Sequence, residues 1–150
     1  MSARAFLCQT EQDTESLGVR VAKLLFPHAF LALYGDLGAG KTAFARGVGR
    51  GLGTLEVASP TFTIVREHAT MPKLLHFDAY RVSGPDELFA LGFDDYLAEE
   101  AVVLMEWAER TADCLPRERL DITISMADDG GRVITMQPHG LQYERLVDAL

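Results

Sequence analysis

The stretch Gly-Asp-Leu-Gly-Ala-Gly-Lys-Thr at residues 35–42 fits the phosphate-binding pattern G-x-x-x-x-G-K-[ST] at every fixed position. It follows an apolar run, Phe30–Tyr34, that is typical of a buried strand, and it precedes residues 43–46, which are typical of a helix start. This pattern indicates phosphate binding only where it lies between a strand and a helix, and both flanking elements are expected here. The sequence therefore predicts a phosphate-binding loop between a strand and a helix.

The residue types in this loop suit a nucleoside triphosphate bound with Mg²⁺. Glycines let the backbone turn its N–H groups toward phosphate oxygens, and a helix beginning at Lys41 adds the positive end of its dipole. Lys41 can reach the β- and γ-phosphates, and the Thr42 hydroxyl can ligate Mg²⁺. The nucleotide-binding residues predicted in the loop are Gly35, Asp36, Leu37, Gly38, Ala39, Gly40, Lys41 and Thr42.

Composition narrows the class of protein. The chain has 150 residues, 48% of them hydrophobic and 24% charged, which predicts one globular domain over residues 1–150. No apolar run approaches the roughly 20 residues that cross a bilayer, and the apolar part of residues 1–7 is too short for a signal peptide. We therefore expect a cytoplasmic protein with no membrane contact.

The two cysteines, Cys8 and Cys114, do not form a Cys-x-x-Cys motif. Their spacing favours reduced thiols over a zinc site.

The net charge of −8 argues against independent binding of nucleic acid. Proteins that grip nucleic acid usually carry a basic patch that neutralises phosphates. This chain has three lysines, and Lys41 belongs to the predicted phosphate loop. Arg46 and Arg50 could still form a local positive spot.

Hydrophobic periodicity predicts an α/β fold: a single P-loop NTPase-like domain with a mixed sheet flanked by helices. Parallel strands are expected near the phosphate loop. The alternation in residues 119–125 and 132–137, around an Asp-Asp-Gly-Gly turn, predicts a C-terminal antiparallel hairpin. Glycines at 47, 49, 51 and 53 weaken the prediction for the last turns of the helix after the loop, because glycine disfavours helix by about 1 kcal/mol relative to alanine.

Two acidic residues follow apolar strand-like runs. Asp78 ends residues 74–78 and Glu106 follows residues 101–105. Ligands of open α/β sheets bind beyond the carboxyl ends of the strands, and a phosphate-loop NTPase needs an acid there for Mg²⁺. We assign Glu106 to the metal and Asp78 to a water-positioning or base role, although sequence spacing leaves an exchange of these two roles open.

The roles of three further residues stay open from the sequence pattern alone. Thr61 and Thr63 follow Pro60 on a loop, where a threonine can sense the γ-phosphate and metal in nucleotide switches, but the Ser-Pro-Thr segment is also typical of a plain turn. Trp107 could stack on a base or pack in the core, and composition favours the core.

Other classes of nucleotide-binding protein carry sequence motifs that can be looked for in this chain. A guanine-reading regulatory GTPase needs an Asn-Lys-x-Asp motif, and this chain contains no asparagine. A small-molecule kinase normally adds an arginine-rich lid, whereas the arginines at 110, 117 and 119 are separated by Cys-Leu-Pro at 114–116. A small-molecule kinase and a regulatory module with incidental hydrolysis stay as alternatives to a dedicated ATPase.

Several segments taken together resemble the TsaE (YjeE) family of bacterial ATPases. The segments occur in the family's order: the loop 35–42, Arg46-Gly47, Ser-Pro-Thr-Phe-Thr at 59–63, His-Phe-Asp-Ala-Tyr-Arg at 76–81, Glu87-Leu88 with Gly92, and Glu106-Trp107. The resemblance covers about residues 10–135. Its departures are Ala43, Ala79 and Ala108, where threonine, leucine and proline are usual, and none of them replaces a candidate catalytic group.

The resemblance implies an ATPase subunit needed to form threonylcarbamoyladenosine beside the anticodon of tRNA. It implies ATP and Mg²⁺ as ligands and TsaD-like and TsaB-like proteins as partners, with tRNA met only through the complex. Lys41 and Thr42 would then hold phosphate and metal, Glu106 the Mg²⁺, Asp78 would serve hydrolysis and Thr61 would be a switch-loop residue. Thr10, Glu11 and Arg132 would contact the nucleotide. Because no arginine finger can be assigned, we expect weak ATPase activity alone and more in the complex.

Overall fold

The computed structural model describes residues 3–35, 40–55, 57 and 64–150. Within these residues seven strands form one sheet. The strands are β1 (Arg4–Cys8), β2 (Phe30–Tyr34), β3 (Val65–His68), β4 (Lys73–Asp78), β5 (Ala101–Glu106), β6 (Arg119–Met126) and β7 (Arg132–His139). The predicted mixed sheet is confirmed, with element bounds close to those expected from periodicity.

The order of strands across the sheet is β1-β7-β6-β2-β5-β4-β3. The four central strands run parallel, because β2 pairs in parallel with both β5 and β6 and β4 pairs in parallel with β5. The edges are antiparallel: β3 pairs with β4, β1 with β7, and β6 with β7 in the predicted C-terminal hairpin. The carboxyl ends of β2, β4, β5 and β6 therefore meet at one edge of the sheet.

Helices cover both faces of the sheet. The described residues form five α-helices: α1 (Glu11–Ala22), α2 (Lys41–Leu52), α3 (Pro85–Ala90), α4 (Phe93–Ala98) and α5 (Leu141–Asp148). Short 3₁₀ segments follow β4 at Ala79–Arg81 and β5 at Ala108–Cys114. None of the helices in the described ranges is long and apolar enough to cross a membrane.

Strand β2 shows why the central strands are continuously apolar. Its Leu31 and Leu33 belong to a core shared with α1, α2 and α5, whereas Phe30 and Ala32 belong to a second core shared with α3 and α4. Side chains alternate between the two faces of a strand. A parallel strand covered on both faces therefore has no position left for solvent-facing polar residues.

Helix α2 continues through its glycines to Leu52, against the doubt that they raised about its last turns. The glycines allow the backbones of α1 and α2 to lie in close contact. A Cβ on Gly18 would lie 2.5 Å from the Phe44 carbonyl oxygen, and one on Gly47 would overlap the Glu15 carbonyl group, 2.8 Å from its carbon. Close backbone approach is a recurrent use of glycine, and tertiary packing here outweighs helix propensity.

Charged pairs also join α1 to α2. Arg46 donates to Glu11 at 2.5 Å, and Arg50 donates to Glu15 at 2.6 Å. The arginine cluster that could have formed a positive spot is therefore largely neutralised by acids of the neighbouring helix. These contacts join α1 and its N-terminus to the helix that begins at Lys41.

Candidate functional site

A cavity of about 490 Å³ lies at the carboxyl edge of the parallel strands. The described residues of its walls come from the start of α1, the start of α2, the ends of β4 and β5, and the turn between β6 and β7. The residues that line it are Gln9, Thr10, Glu11, Thr14, Gly40, Lys41, Thr42, Ala43, Asp78, Glu106, Trp107, Gly130 and Arg132. The topology thus brings segments from both ends of the chain to one place.

The structure brings most of the sequence-predicted site residues to this cavity. The predicted residues on its walls are Thr10, Glu11, Gly40, Lys41, Thr42, Asp78, Glu106 and Arg132. Gly35 lies at the end of β2, where its carbonyl oxygen accepts a hydrogen bond from Lys41. Asp36, Leu37, Gly38, Ala39 and Thr61 lie outside the described residues. The roles assigned to all these residues stay predictions.

Lys41 is held at the first position of α2. Its side chain is 6% exposed, and its Nζ donates to the Gly35 carbonyl oxygen at 2.5 Å. The same ammonium lies 3.3 Å from the centroid of the Trp107 ring, a cation–π contact. Gly40, the residue before the helix, has φ = 109°, a left-handed conformation that favours glycine. The start of α2 therefore brings a buried positive charge against the cavity wall.

Asp78 and Glu106 are direct neighbours across the parallel pair β4–β5. Asp78 also caps the 3₁₀ segment after β4, because its Oδ1 accepts from the Tyr80 backbone N–H at 3.0 Å. Burial raises the pKa of the Asp78 carboxyl above its ordinary value. The Tyr80 N–H, His76 and Lys41 lower it, and the Glu106 charge raises it further. The two acids assigned by sequence thus share one corner of the cavity.

Replacing Asp78 with asparagine is expected to stabilise the fold at neutral pH. Because the native state raises the Asp78 pKa, it binds more protons than the unfolded state, and this residue's contribution to stability falls as pH rises through the native pKa. Asp78→Asn removes the titrating carboxyl group and with it this loss of stability at neutral pH. The asparagine keeps a side-chain oxygen that can accept from the Tyr80 backbone N–H. Urea unfolding at pH 7 should show a higher midpoint than wild type, and the difference should vanish near pH 3, below the ordinary aspartate pKa of about 3.9. A gain of equal size at both pH values would contradict this explanation.

Three of the predicted nucleotide contacts already make intramolecular bonds. Thr10 is the N-cap of α1, and its Oγ1 accepts from the Asp13 N–H at 3.1 Å in a capping box. Glu11 accepts from Arg46, and Arg132 donates to the Gly130 carbonyl oxygen at 2.9 Å. These contacts build the rim of the cavity, so the side chains have a structural function in addition to any ligand contact.

Sequence reasoning did not anticipate the positions of Trp107 and His76. Trp107 packs partly against the second core, as composition favoured, but its ring also forms a cavity wall and lies 4.9 Å from the Tyr80 ring. His76 is fully buried and forms a 2.6 Å hydrogen bond with Glu106. The alternation of strand residues could have indicated His76, because it lies two positions before Asp78 and so on the same face.

The oxygen donors in the cavity fit Mg²⁺ better than a softer metal. Thr42 supplies a hydroxyl, and Asp78 and Glu106 supply carboxylates. Among the described residues, no group of three or more His, Cys, Asp or Glu side chains forms a metal cage. Mg²⁺ typically uses one or two protein oxygens together with waters and substrate phosphates. The donor set therefore fits a metal that arrives with a phosphate ligand.

Comparisons with known proteins point to one family. A family model described as "Threonylcarbamoyl adenosine biosynthesis protein TsaE" matches residues 8–134. The tRNA threonylcarbamoyladenosine biosynthesis protein TsaE of Bacillus subtilis is 43% identical over 142 residues, covering 93% of this chain and 88% of that protein. The Treponema pallidum protein of the same name is 36% identical over 129 residues, covering 85% of this chain and 96% of that protein.

A solved structure shares the whole architecture. The crystal structure of Bacillus subtilis YdiB superposes with a TM-score of 0.84 at 35% sequence identity. The alignment covers 98% of this chain and 93% of YdiB. The seven-stranded sheet and its C-terminal hairpin thus occur in an experimentally determined relative.

Proposed function

The chain belongs to the TsaE family of threonylcarbamoyl adenosine biosynthesis proteins, and from this premise we propose that it is the ATPase subunit of a tRNA-modifying complex. In this proposal one domain over residues 1–150 binds and hydrolyses ATP with Mg²⁺. It does so together with TsaD-like and TsaB-like partners while the threonylcarbamoyl group is formed on adenosine next to the anticodon.

The observation that carries this proposal is the meeting of a lysine–threonine pair with two carboxylates in one cavity. Lys41 and Thr42 begin α2 on one side, and Asp78 and Glu106 end β4 and β5 on the other. Phosphoryl transfer depends mainly on positioning and on stabilising charge at the phosphates. A cavity of about 490 Å³ is within the range of small-molecule sites.

Each residue has a distinct role in the proposed reaction. Lys41 leaves its contacts with Gly35 and Trp107 and binds the phosphates. Thr42 and Glu106 would hold the Mg²⁺, which when bound would neutralise charge on the phosphate oxygens. Asp78 orients the attacking water or accepts its proton, and its raised pKa makes it a better proton acceptor than an exposed aspartate.

The remaining site residues serve binding in this proposal. Thr10, Glu11 and Arg132 contact the nucleotide from the cavity rim. The loop residues Asp36, Leu37, Gly38 and Ala39 surround the phosphates, and Thr61 acts as a switch residue, as the family resemblance implies. The net charge of −8 supports contact with tRNA through the partner proteins rather than directly.

The test is reconstitution of tRNA modification with the partner proteins, comparing wild type with Asp78→Asn. We expect Asp78→Asn to bind ATP with nearly unchanged affinity but to lose most ATP turnover and tRNA modification, because the nucleotide site is kept and the hydrolytic group is lost. Asp148→Asn, at an exposed position of α5, is the matched control and should behave as wild type.

The outcomes separate this proposal from its alternatives. Normal tRNA modification by Asp78→Asn with ATP hydrolysis abolished would indicate a regulatory module whose hydrolysis is incidental. A phosphorylated small molecule formed from labelled ATP would indicate a kinase. Equal ATP turnover with and without the partner proteins would contradict the expectation that the complex completes the active site.

A further inference from the structure

His76 is a buried histidine beneath the cavity to which the proposed function gives no role. It lies on β4, two residues before Asp78, and its side chain is 0% exposed. Its neighbours along the same strand face are Leu74, which packs in the core, and Asp78, which lines the cavity. His76 therefore occupies the boundary between the apolar core and the polar site.

The contact made by His76 is with the carboxylate assigned to Mg²⁺. His76 Nε2 lies 2.6 Å from Glu106 Oε2, and the Glu106 side chain is 5% exposed. In the register of β4 and β5, Glu106 is paired with Asp78, while Leu104 is paired with His76. The Glu106 side chain thus reaches back along the sheet to the imidazole. A short hydrogen bond to a buried carboxylate is among the stronger kinds in proteins.

The surroundings of the imidazole identify where its proton resides. No described residue offers a hydrogen-bond partner to the buried Nδ1 of His76. A proton on Nδ1 would leave a buried N–H without an acceptor, which is more unfavourable than a bare nitrogen lone pair. Of the two neutral tautomers, the one with its proton on Nε2 is therefore favoured. In that tautomer Nε2–H donates to Glu106 Oε2 across the 2.6 Å contact.

We propose that His76 is a positioning residue for Mg²⁺ binding: through its hydrogen bond to Oε2 it fixes the orientation in which the Glu106 carboxylate would bind the metal. This inference rests on the proposed role of Glu106 as a metal ligand. Groups that hydrogen-bond to a metal ligand commonly fix its orientation, and their loss lowers metal affinity about 10- to 100-fold.

A purely structural role explains the pair less well. Burying an imidazole and a carboxylate is unfavourable relative to burying apolar groups of similar size. The same sheet face fills its neighbouring buried positions with Leu74, Leu104 and Val102. An apolar residue at position 76 would extend that core without the loss of hydration. The hydrogen bond from His76 to Glu106, which lines the cavity, gives a functional reason for a polar residue at position 76.

The experiment measures how much Mg²⁺ strengthens nucleotide binding. The affinity of a fluorescent ADP analogue is determined with Mg²⁺ and with chelator for wild type, His76→Phe, His76→Gln and Glu106→Ala. We expect the Mg²⁺-dependent gain in affinity to fall about 10- to 100-fold in His76→Phe, with affinity in chelator unchanged. His76→Gln should recover most of the gain, because its amide nitrogen can donate to Oε2 as Nε2–H does.

Two results would overturn the inference in distinguishable ways. If Glu106→Ala loses the Mg²⁺-dependent gain and His76→Phe keeps it, His76 does not position the ligand. If Glu106→Ala also keeps the gain, the proposed assignment of Glu106 to the metal is wrong, and the inference falls with it.

A measurement on the wild-type protein tests the inference even if His76→Phe fails to fold. Long-range ¹H–¹⁵N NMR should show His76 as the Nε2–H tautomer, with its Nε2–H resonance shifting when Mg²⁺ is added to the ADP complex. A tautomer protonated on Nδ1, or a resonance that Mg²⁺ leaves unmoved, would overturn the inference.

Discussion

Replacing Lys41 with alanine is expected to lower ATP turnover by about 100- to 1,000-fold, the usual effect of removing one donor to charge that develops in a transition state. In the reconstituted complex the same change should abolish tRNA modification. The physical reason is the position of Lys41 at the start of α2, where a buried ammonium faces the cavity that the proposed phosphates would enter. Turnover is measured as phosphate release, and modification as threonylcarbamoyl incorporation into tRNA.

Two control variants distinguish a loss of catalysis from a loss of the folded state. Lys23→Ala changes an exposed lysine at the C-cap of α1 and should leave turnover unchanged. Lys41→Met keeps the aliphatic chain beside Trp107 but removes the charge, and it should be as inactive as Lys41→Ala. Turnover by folded Lys41→Met within a few-fold of wild type would refute the phosphate-binding role.

Replacing Gly47 with alanine is expected to destabilise the protein, although alanine is the better helix former by about 1 kcal/mol. The added Cβ would overlap the Glu15 carbonyl group, so α1 and α2 would have to separate. Overpacking of this kind destabilises by about 1–3 kcal/mol and sometimes more. Because the overlap is with backbone atoms, we expect a cost at the upper end of this range, a net loss of about 2 kcal/mol after the gain in helix propensity. The corresponding fall in Tm is roughly 4–8 °C, measured by thermal unfolding.

Gly84→Ala is the matched control for this substitution. Gly84 precedes α3, and a Cβ built on it meets nothing within 4 Å. Its unfolding free energy should stay within about 0.5 kcal/mol of wild type, as for most surface changes. If Gly47→Ala were as stable as Gly84→Ala, the close packing of α1 on α2 would not be a major source of stability.

The Gly47 substitution also links stability to the site. Helix α2 begins at Lys41, and α1 begins beside the cavity residues Thr10 and Glu11. A wider spacing between these helices would shift both walls of the cavity relative to each other. Gly47→Ala should therefore lose nucleotide affinity under conditions in which it remains folded.

Much of the site could be predicted from local patterns. The loop residues follow from one contiguous motif, and Asp78 and Glu106 follow from acids placed directly after apolar strands. Their convergence needed one further rule, that the carboxyl ends of parallel strands meet at the same edge. The structure agrees, because β4 and β5 are adjacent and in register at these two residues.

Other features depend on contacts between distant segments. His76 contacts Glu106, 30 positions away in the chain, and the ring of Trp107 contacts the Lys41 ammonium directly. The glycines of α2 weakened the helix prediction because helix propensity describes an isolated helix. In the folded protein these glycines allow close packing against α1, which the propensity does not take into account. None of these contacts has a contiguous sequence signature.

The sequence by itself determined the class of fold, and it predicted a phosphate-binding loop and the two acids that line the cavity, because backbone propensity, strand alternation and motif spacing are local properties. Only the tertiary structure decided how near α1 lies to α2, which histidine holds Glu106 and where the Lys41 ammonium rests. These features depend on sheet register and on distances between helices, which arise when the whole chain packs. The motif at residues 35–42 predicts a nucleotide site, and the packing of the described residues determines which side chains contact Lys41 and Glu106.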